Sequence, residues 1–301
     1  MDKSLKYAHL ALLAVGFIYA LNYFIAKGLM PNKIGPSGFI VLRVIGGGLM
    51  FLLLRFSLKI ERVDKKDLIR LALCGLTGVA INQLCFFNGL AITSPIHASL
   101  IMTTNPIFVL ITSAVILGTV ITSRKILGIA LGGIGAVFLL LNTPKSVTTN
   151  GPSLLGDILI LINALSYGIY LVIVKPLMRK YKLITIISWV FIFGAFFALP
   201  FGISEVQAID WTSFGREEWG RILYVIIGTT FLAYLLNIYA LGSVDPTVVS
   251  IYIYLQPIIV TTLTAVWAYG NIGVPTIICA ISIFTGVWLV SVPQGFFRYK
   301  K

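Results

Sequence analysis

The sequence predicts an all-α integral membrane protein with ten transmembrane helices in two inverted five-helix repeats. Three observations carry that expectation. Hydrophobic residues make up 58% of the 301 positions and charged residues 11%, with a mean hydropathy of +0.98, far from the balance of a soluble domain. Hydropathy divides the chain into ten apolar stretches, each able to cross a hydrocarbon core of about 30 Å. One pattern also occurs in both halves, as GLAITSPIHASLIMTTNP from Gly89 to Pro106 and as ALGSVDPTVVSIYIYLQP from Ala240 to Pro257. In each, a proline opens an apolar run and a second follows eleven residues later, directly after a carboxamide.

The first span, 7–28, follows Lys3 and Lys6, contains Asn22 and precedes nine more spans, so it reads as an uncleaved helix rather than a signal peptide. The second, 37–58, begins beyond Pro31 and Pro36 and carries Arg43 and the run Gly46 to Gly48. The third covers 68–91, and the fourth, 95–118, opens at Pro95 with Pro106 in its interior. The fifth, 125–142, holds Gly128 and Gly132 in a G-x-x-x-G pattern, which serves either packing inside the chain or a homodimer. After Asn150-Gly151-Pro152 come 154–174, 183–204, 219–242, 246–270 and 274–292. The short joints leave no soluble domain, and the chain divides into repeats at 1–145 and 152–301.

In a soluble protein a net charge of +13 would point to nucleic acid; here its distribution reads as topology, with a lipid bilayer as partner and no nucleic acid. With the N-terminus cytoplasmic, the inner segments hold Lys3 and Lys6, the cluster from Arg55 to Arg70, Arg124 and Lys125, Lys175 to Lys182, and Arg298 to Lys301. The outer segments hold only Lys27, Lys33, Lys145, Arg216 and Arg221. Both termini are therefore expected inside. Five spans per half is an odd number, so the second half must run through the membrane in the opposite sense, as in many secondary transporters. The first and sixth spans agree: Tyr167 follows Tyr19, and Lys175 follows Lys27, at the same offset of 148.

The chemistry-bearing residues are few. Cys74, Cys85 and Cys279 sit in apolar stretches without disulfide or metal spacing. There are two histidines, His9 and His97, and no zinc-hydrolase, serine-hydrolase or Walker motif. No catalytic residue, metal or cofactor is expected.

These features together resemble the EamA type of the drug/metabolite transporter superfamily. The resemblance rests on the ten spans, the duplicated half, the G-x-x-x-A-x-N-Y from Gly16, the P-x-x-x-x-x-x-R from Pro36 to Arg43 and the two proline pairs. It implies an inner-membrane carrier, often an exporter of amino acids or other small metabolites, with helices 1 to 4 and 6 to 9 around a central cavity and helices 5 and 10 peripheral. The sequence departs from that pattern where a leucine-glycine-glutamate often follows the fourth and ninth helices; here stand Leu117-Gly118-Thr119 and Tyr269-Gly270-Asn271.

Eleven residues of helix rise about 16 Å, so Pro106 and Pro257 are expected as kinks near the midplane. A proline inside a helix frees the carbonyl four residues back, and that carbonyl must face protein, water or ligand rather than lipid. Asn105 and Gln256 stand beside these kinks, and Tyr19, Asn22, Tyr167 and Tyr170 supply aromatic and polar groups from the first and sixth helices. Those six residues are the expected substrate-binding set. Arg43 reads either as a snorkelling structural cation or as a contact for an anion. His97 reads either as a pH-sensitive gate or as a neutral, bonded side chain. Asp157 and Asp245 are expected at helix N-termini. The expected function is secondary transport of a small organic solute such as an amino acid by alternating access, with export favoured by the resemblance. A membrane enzyme acting on a hydrophobic or lipid-linked substrate and a channel are the alternatives.

Overall fold

The structure, a computed structural model, describes residues 3–30, 32–57, 61–93, 98, 101–141, 153–267 and 274–291, and their regular structure is helical throughout. In chain order the helices are α1 (Lys3–Lys27), α2 (Pro36–Phe56), α3 (Lys65–Ile92), α4 (Asn105–Leu117), α5 (Ser123–Leu141), α6 (Leu154–Val174), α7 (Leu183–Gln207), α8 (Arg216–Ser243), α9 (246–267) and α10 (Val274–Ser291). Among the described residues, six helical stretches are long and apolar enough to cross a membrane: Ser4–Ala26, Pro36–Phe56, Lys65–Ile92, Leu154–Arg179, Leu183–Gln207 and Arg216–Ser243. Shorter apolar helices cover Asn105–Leu117, Pro246–Val260 and Ile277–Ser291. Large apolar side chains such as Leu53, Val115, Leu154 and Phe196 face outward, as lipid-facing surfaces require.

The proline-rich helices differ from the sequence expectation. Thr103 and Thr104 form a turn, and the helix begins again at Asn105 with Pro106 in its first turn. In α9 the 3₁₀ segment Tyr252–Tyr254 precedes Leu255–Trp267, which places Pro257 at the start of a renewed α-helix. Both prolines thus stand in the first turn of an α-helical segment that follows a turn or a 3₁₀ stretch. The reason is that proline lacks an N–H, and the first turn is the place where that N–H has no intrahelical partner to lose.

A second pair of irregularities was not visible in the sequence. α3 passes through a π turn at Leu76–Ala80, and α8 through a longer one at Tyr224–Leu232. Such turns break the regular carbonyl ladder, and side chains satisfy the groups they release. Tyr234 OH donates to the Gly78 carbonyl at 2.9 Å, and Ser166 Oγ donates to the Thr77 carbonyl. In α8, Thr229 and Thr230 both donate to the Val225 carbonyl, at 2.7 and 2.8 Å.

Packing follows one rule in both halves. α2 lies against α7, α5 against α10, and α4 against α9; α3 packs on α6 as α8 packs on α1, and α4 packs on α6 as α9 packs on α1. Exchanging α1–α5 for α6–α10 leaves this set of neighbours unchanged. Close approach at the α5–α10 crossing depends on two glycines: a Cβ on Gly128 would sit 2.8 Å from the Gly286 carbonyl oxygen, and one on Gly286 would sit 2.5 Å from that of Gly128. Gly132, one turn on, makes room for the Tyr254 ring, which a Cβ would meet at 2.5 Å. The G-x-x-x-G face of α5 is therefore used within the chain. At the end of α4, Gly118 takes φ +65°, a left-handed helix end that a Cβ would strain.

Acidic residues hold helix ends. Asp157 lies in the first turn of α6, where it accepts from Thr93 Oγ1 at 2.7 Å. Asp245 occupies the N-cap position of α9, but its side chain does not cap the helix; it lies 3.8 Å from Lys125 Nζ instead. An ion pair with α5 has replaced the expected cap.

Candidate functional site

A cavity of about 100 Å³ lies between the halves, lined by α1, α2, α3 and Met102 from the first and by α6, α8 and α9 from the second. α1 contributes Tyr19, Asn22 and Tyr23 to its wall. Tyr19 OH accepts from Asn237 Nδ2 of α8 at 3.4 Å, and Tyr23 packs edge-on against Phe86 of α3 with 5.7 Å between ring centres. From α6 comes Tyr167, and from α9 Gln256, whose carboxamide makes no hydrogen bond among the described residues. Nearer the N-terminus, His9 Nδ1 and Tyr252 OH are 2.7 Å apart.

The π turns shape this wall. Tyr234 lines the cavity and satisfies Gly78, and its oxygen accepts from Gln83 Nε2 at 3.0 Å, which ties α8 to α3 through a buried relay. Asn163 donates from Nδ2 to the Asn82 carbonyl at 2.6 Å, joining α6 to α3. Several carboxamide oxygens are left over: Asn22 Oδ1, Gln83 Oε1 and Asn163 Oδ1 are buried and accept no hydrogen bond among the described residues. Buried acceptors of this kind carry a desolvation cost of about 1–3 kcal/mol each unless a donor reaches them.

Arg43 enters the same cavity from α2 and is only 4% exposed. Its Nε donates to Thr230 Oγ1 at 3.1 Å and its Nη2 to Thr229 Oγ1 at 3.2 Å, while the guanidinium lies 4.7 Å from the centre of the Phe87 ring. The two hydroxyl protons are committed to the Val225 carbonyl, so their oxygens are free to accept from the arginine. The bulge in α8 thus orients the cation held by α2.

Of the six residues expected to bind substrate, Tyr19, Asn22, Tyr167 and Gln256 meet at the cavity. Asn105 and Tyr170 stand behind its wall. Asn105 is fully buried and spends its amide on the Ala164 carbonyl of α6 at 2.6 Å. Tyr170 lies over Gly78, where a Cβ would come within 2.4 Å of its ring. In this structure both brace neighbouring helices. Pro106 and Pro257 shape α4 and α9 without lining the cavity. His97 lies outside the described residues. Asn82, Gln83, Asn163, Tyr234 and Asn237 line the cavity but were not singled out from the sequence. The available signal was their occurrence as polar groups inside apolar spans, which by itself marks a residue facing protein or a cavity.

Comparison with known proteins bears on the family and the fold. A protein of Archaeoglobus fulgidus described as an uncharacterized transporter is 27% identical over 230 residues, covering 75% of this chain and 77% of the relative. The uncharacterized transporter YetK of Bacillus subtilis is 25% identical over 227 residues, covering 75% and 69%. Protein WALLS ARE THIN 1 of Arabidopsis thaliana is 26% identical, covering 94% of this chain and 82% of its own. A solved crystal structure shares the fold at a TM-score of 0.74 with 17% identity, over 98% of this chain and 99% of that one. The family model for EamA-like transporters matches residues 6–141 and again 154–292. With both halves matched, and with helices built to span a bilayer, the chain is a multi-pass membrane transporter and belongs to the EamA-like transporter family.

Proposed function

We propose that the chain is a secondary transporter that carries a small organic metabolite, such as an amino acid, across the cell membrane through the cavity between its halves, with export as the working direction. The observation that carries this reading is the composition of that cavity. Its walls come from both halves, combine the apolar faces of Tyr19, Tyr23, Phe86 and Tyr167 with the carboxamides of Asn22, Asn163 and Gln256, and offer buried acceptors with no partner among the described residues. An apolar pocket with a few convergent polar groups is the usual form of a small-solute site.

The proposed architecture is ten spans in two inverted repeats, 1–145 and 152–301, with both termini cytoplasmic. The two separate family matches, the exchangeable packing pattern and the lysine and arginine bias support it. In this orientation one layer of contacts between the halves lies at the cytoplasmic end. Asp67 at the start of α3 accepts from Lys180 Nζ at 3.0 Å and from Tyr181 OH at 2.8 Å, and Glu61 accepts from the Lys182 amide at 2.9 Å. By accepting that bond Asp67 raises the Lys180 ammonium above the usual lysine range. Alternating access would require this layer to part as the halves rock. Among the described residues no carboxylate lines the cavity, so the reading is facilitated movement without a carboxylate proton relay.

The test is reconstitution of the chain into liposomes with a panel of amino acids and small organic acids. Saturable counterflow, in which internal unlabelled solute accelerates entry of labelled solute, is the expected result. Flux that rises linearly with concentration and shows no counterflow would contradict it.

A further inference from the structure

We infer that the carried solute is an organic carboxylate, and that Arg43 is the residue that reads its charge; this rests on the transport reading above and deepens it. Arg43 is the one charged side chain among the described residues that line the cavity. It has no carboxylate partner there. Its hydrogen bonds go to two neutral hydroxyls, Thr229 and Thr230, and its guanidinium lies over the face of Phe87. Those groups fix the guanidinium in place without neutralising it. Its Nη1 makes no hydrogen bond among the described residues, although the side chain is 4% exposed.

A buried arginine in a spanning helix is costly, and where such residues occur they face a cavity and pair with an opposite charge. Here the fold supplies the cavity and the positioning but not the charge. A purely structural arginine would be expected to end on a carboxylate or on backbone carbonyls. Arg43 instead takes two hydroxyl oxygens that the α8 bulge has turned toward it, since both protons go to the Val225 carbonyl. A guanidinium anchored through Nε and Nη2 keeps Nη1 for another acceptor, and a carboxylate is the acceptor its geometry fits best. The rings of Tyr19, Tyr167 and Phe86, which line the same cavity, favour an organic body on that carboxylate over a bare inorganic anion. Selection therefore works against cationic solutes: the cavity offers them no counter-charge among the described residues and one like charge.

The experiment uses matched probes on the purified full chain: benzoate with benzamide, and butyrate with butyramide, together with benzylammonium, chloride and phosphate. Binding is read by thermal stabilisation in detergent and movement by flux in liposomes. The expected result is that at least one acid binds about tenfold or more tightly than its amide, the range of a charge-assisted hydrogen bond. Arg43→Gln should remove that preference, and Arg43→Lys should retain it in weaker form. An acid and its amide binding alike, or an acid preference that persists in Arg43→Gln, would overturn the assignment. Equal stabilisation by chloride or phosphate would overturn its organic part. If the amides move as well as the acids, the transport reading stands and the charge reading falls. If no probe of any charge binds or moves, the carboxylate assignment falls, while the transport reading is decided separately by counterflow with the amino-acid panel. Should Arg43→Gln fail to fold, Arg43→Lys still decides the matter, because an unchanged preference and affinity in that variant is also inconsistent with a fitted guanidinium.

Discussion

At the residue scale the site depends on which end of each carboxamide is already engaged. Gln256 lines the cavity with its carboxamide unbonded among the described residues, whereas Asn105 is held by the Ala164 carbonyl. Gln256→Ala should therefore weaken transport by about 0.5–1.5 kcal/mol in apparent affinity, the value of one neutral hydrogen bond, with no change in thermal stability. Asn105→Ala should do the reverse: apparent affinity unchanged and stability reduced by about 0.5–1.5 kcal/mol, because the bond from Asn105 to the Ala164 carbonyl is lost. A melting curve and a saturation curve for each variant check both statements. The sequence placed both residues beside a proline, and eleven residues of rise put both near the same depth. It could not say which face each would take, and one residue of rotation, about 100°, separates a cavity wall from a helix interface.

At the element scale, helix existence was legible and helix irregularity was not. Apolar runs of about 20 residues fix where helices form, and the observed bounds of α2, α6 and α10 lie close to the hydropathy bounds. The π turns in α3 and α8 left no comparable trace, since neither Leu76–Ala80 nor Tyr224–Leu232 contains proline. Their cause is tertiary: Tyr234, Ser166, Thr229 and Thr230 supply the donors that make a broken ladder tolerable. Tyr234→Phe keeps the ring and removes the donor to Gly78, so it should destabilise the chain by about 1–3 kcal/mol through a buried carbonyl left unpaired. Thermal unfolding against wild type measures it, and an unchanged midpoint would mean that the π turn needs no such donor. The glycine seam gives a second element-scale expectation. Gly132→Val drives a branched side chain into the Tyr254 ring and should cost about 1–3 kcal/mol or more through overpacking, again read as a lowered unfolding midpoint.

At the scale of the whole molecule, the duplicated pattern legible from residue 89 onward and again from 240 corresponds to two separate matches to one family and to a packing pattern that survives exchange of the halves. Orientation follows from charge and is open to labelling. A membrane-impermeant thiol reagent applied to intact cells should label Lys33→Cys, while Lys65→Cys should react only after the cells are opened; the opposite pattern would invert the proposed topology. The solute could not be read from the sequence because the cavity is assembled from six helices distant in the chain, and only the folded structure brings Arg43 beside Thr229, Thr230 and Phe87. The central claim is that solute crosses through the space between the halves, and Gln256→Cys tests it most directly. Solute counterflow in proteoliposomes is measured before and after the introduced thiol is modified by a methanethiosulfonate reagent, with and without solute present. The account predicts that modification abolishes counterflow and that solute slows modification; full modification with counterflow unchanged would contradict it.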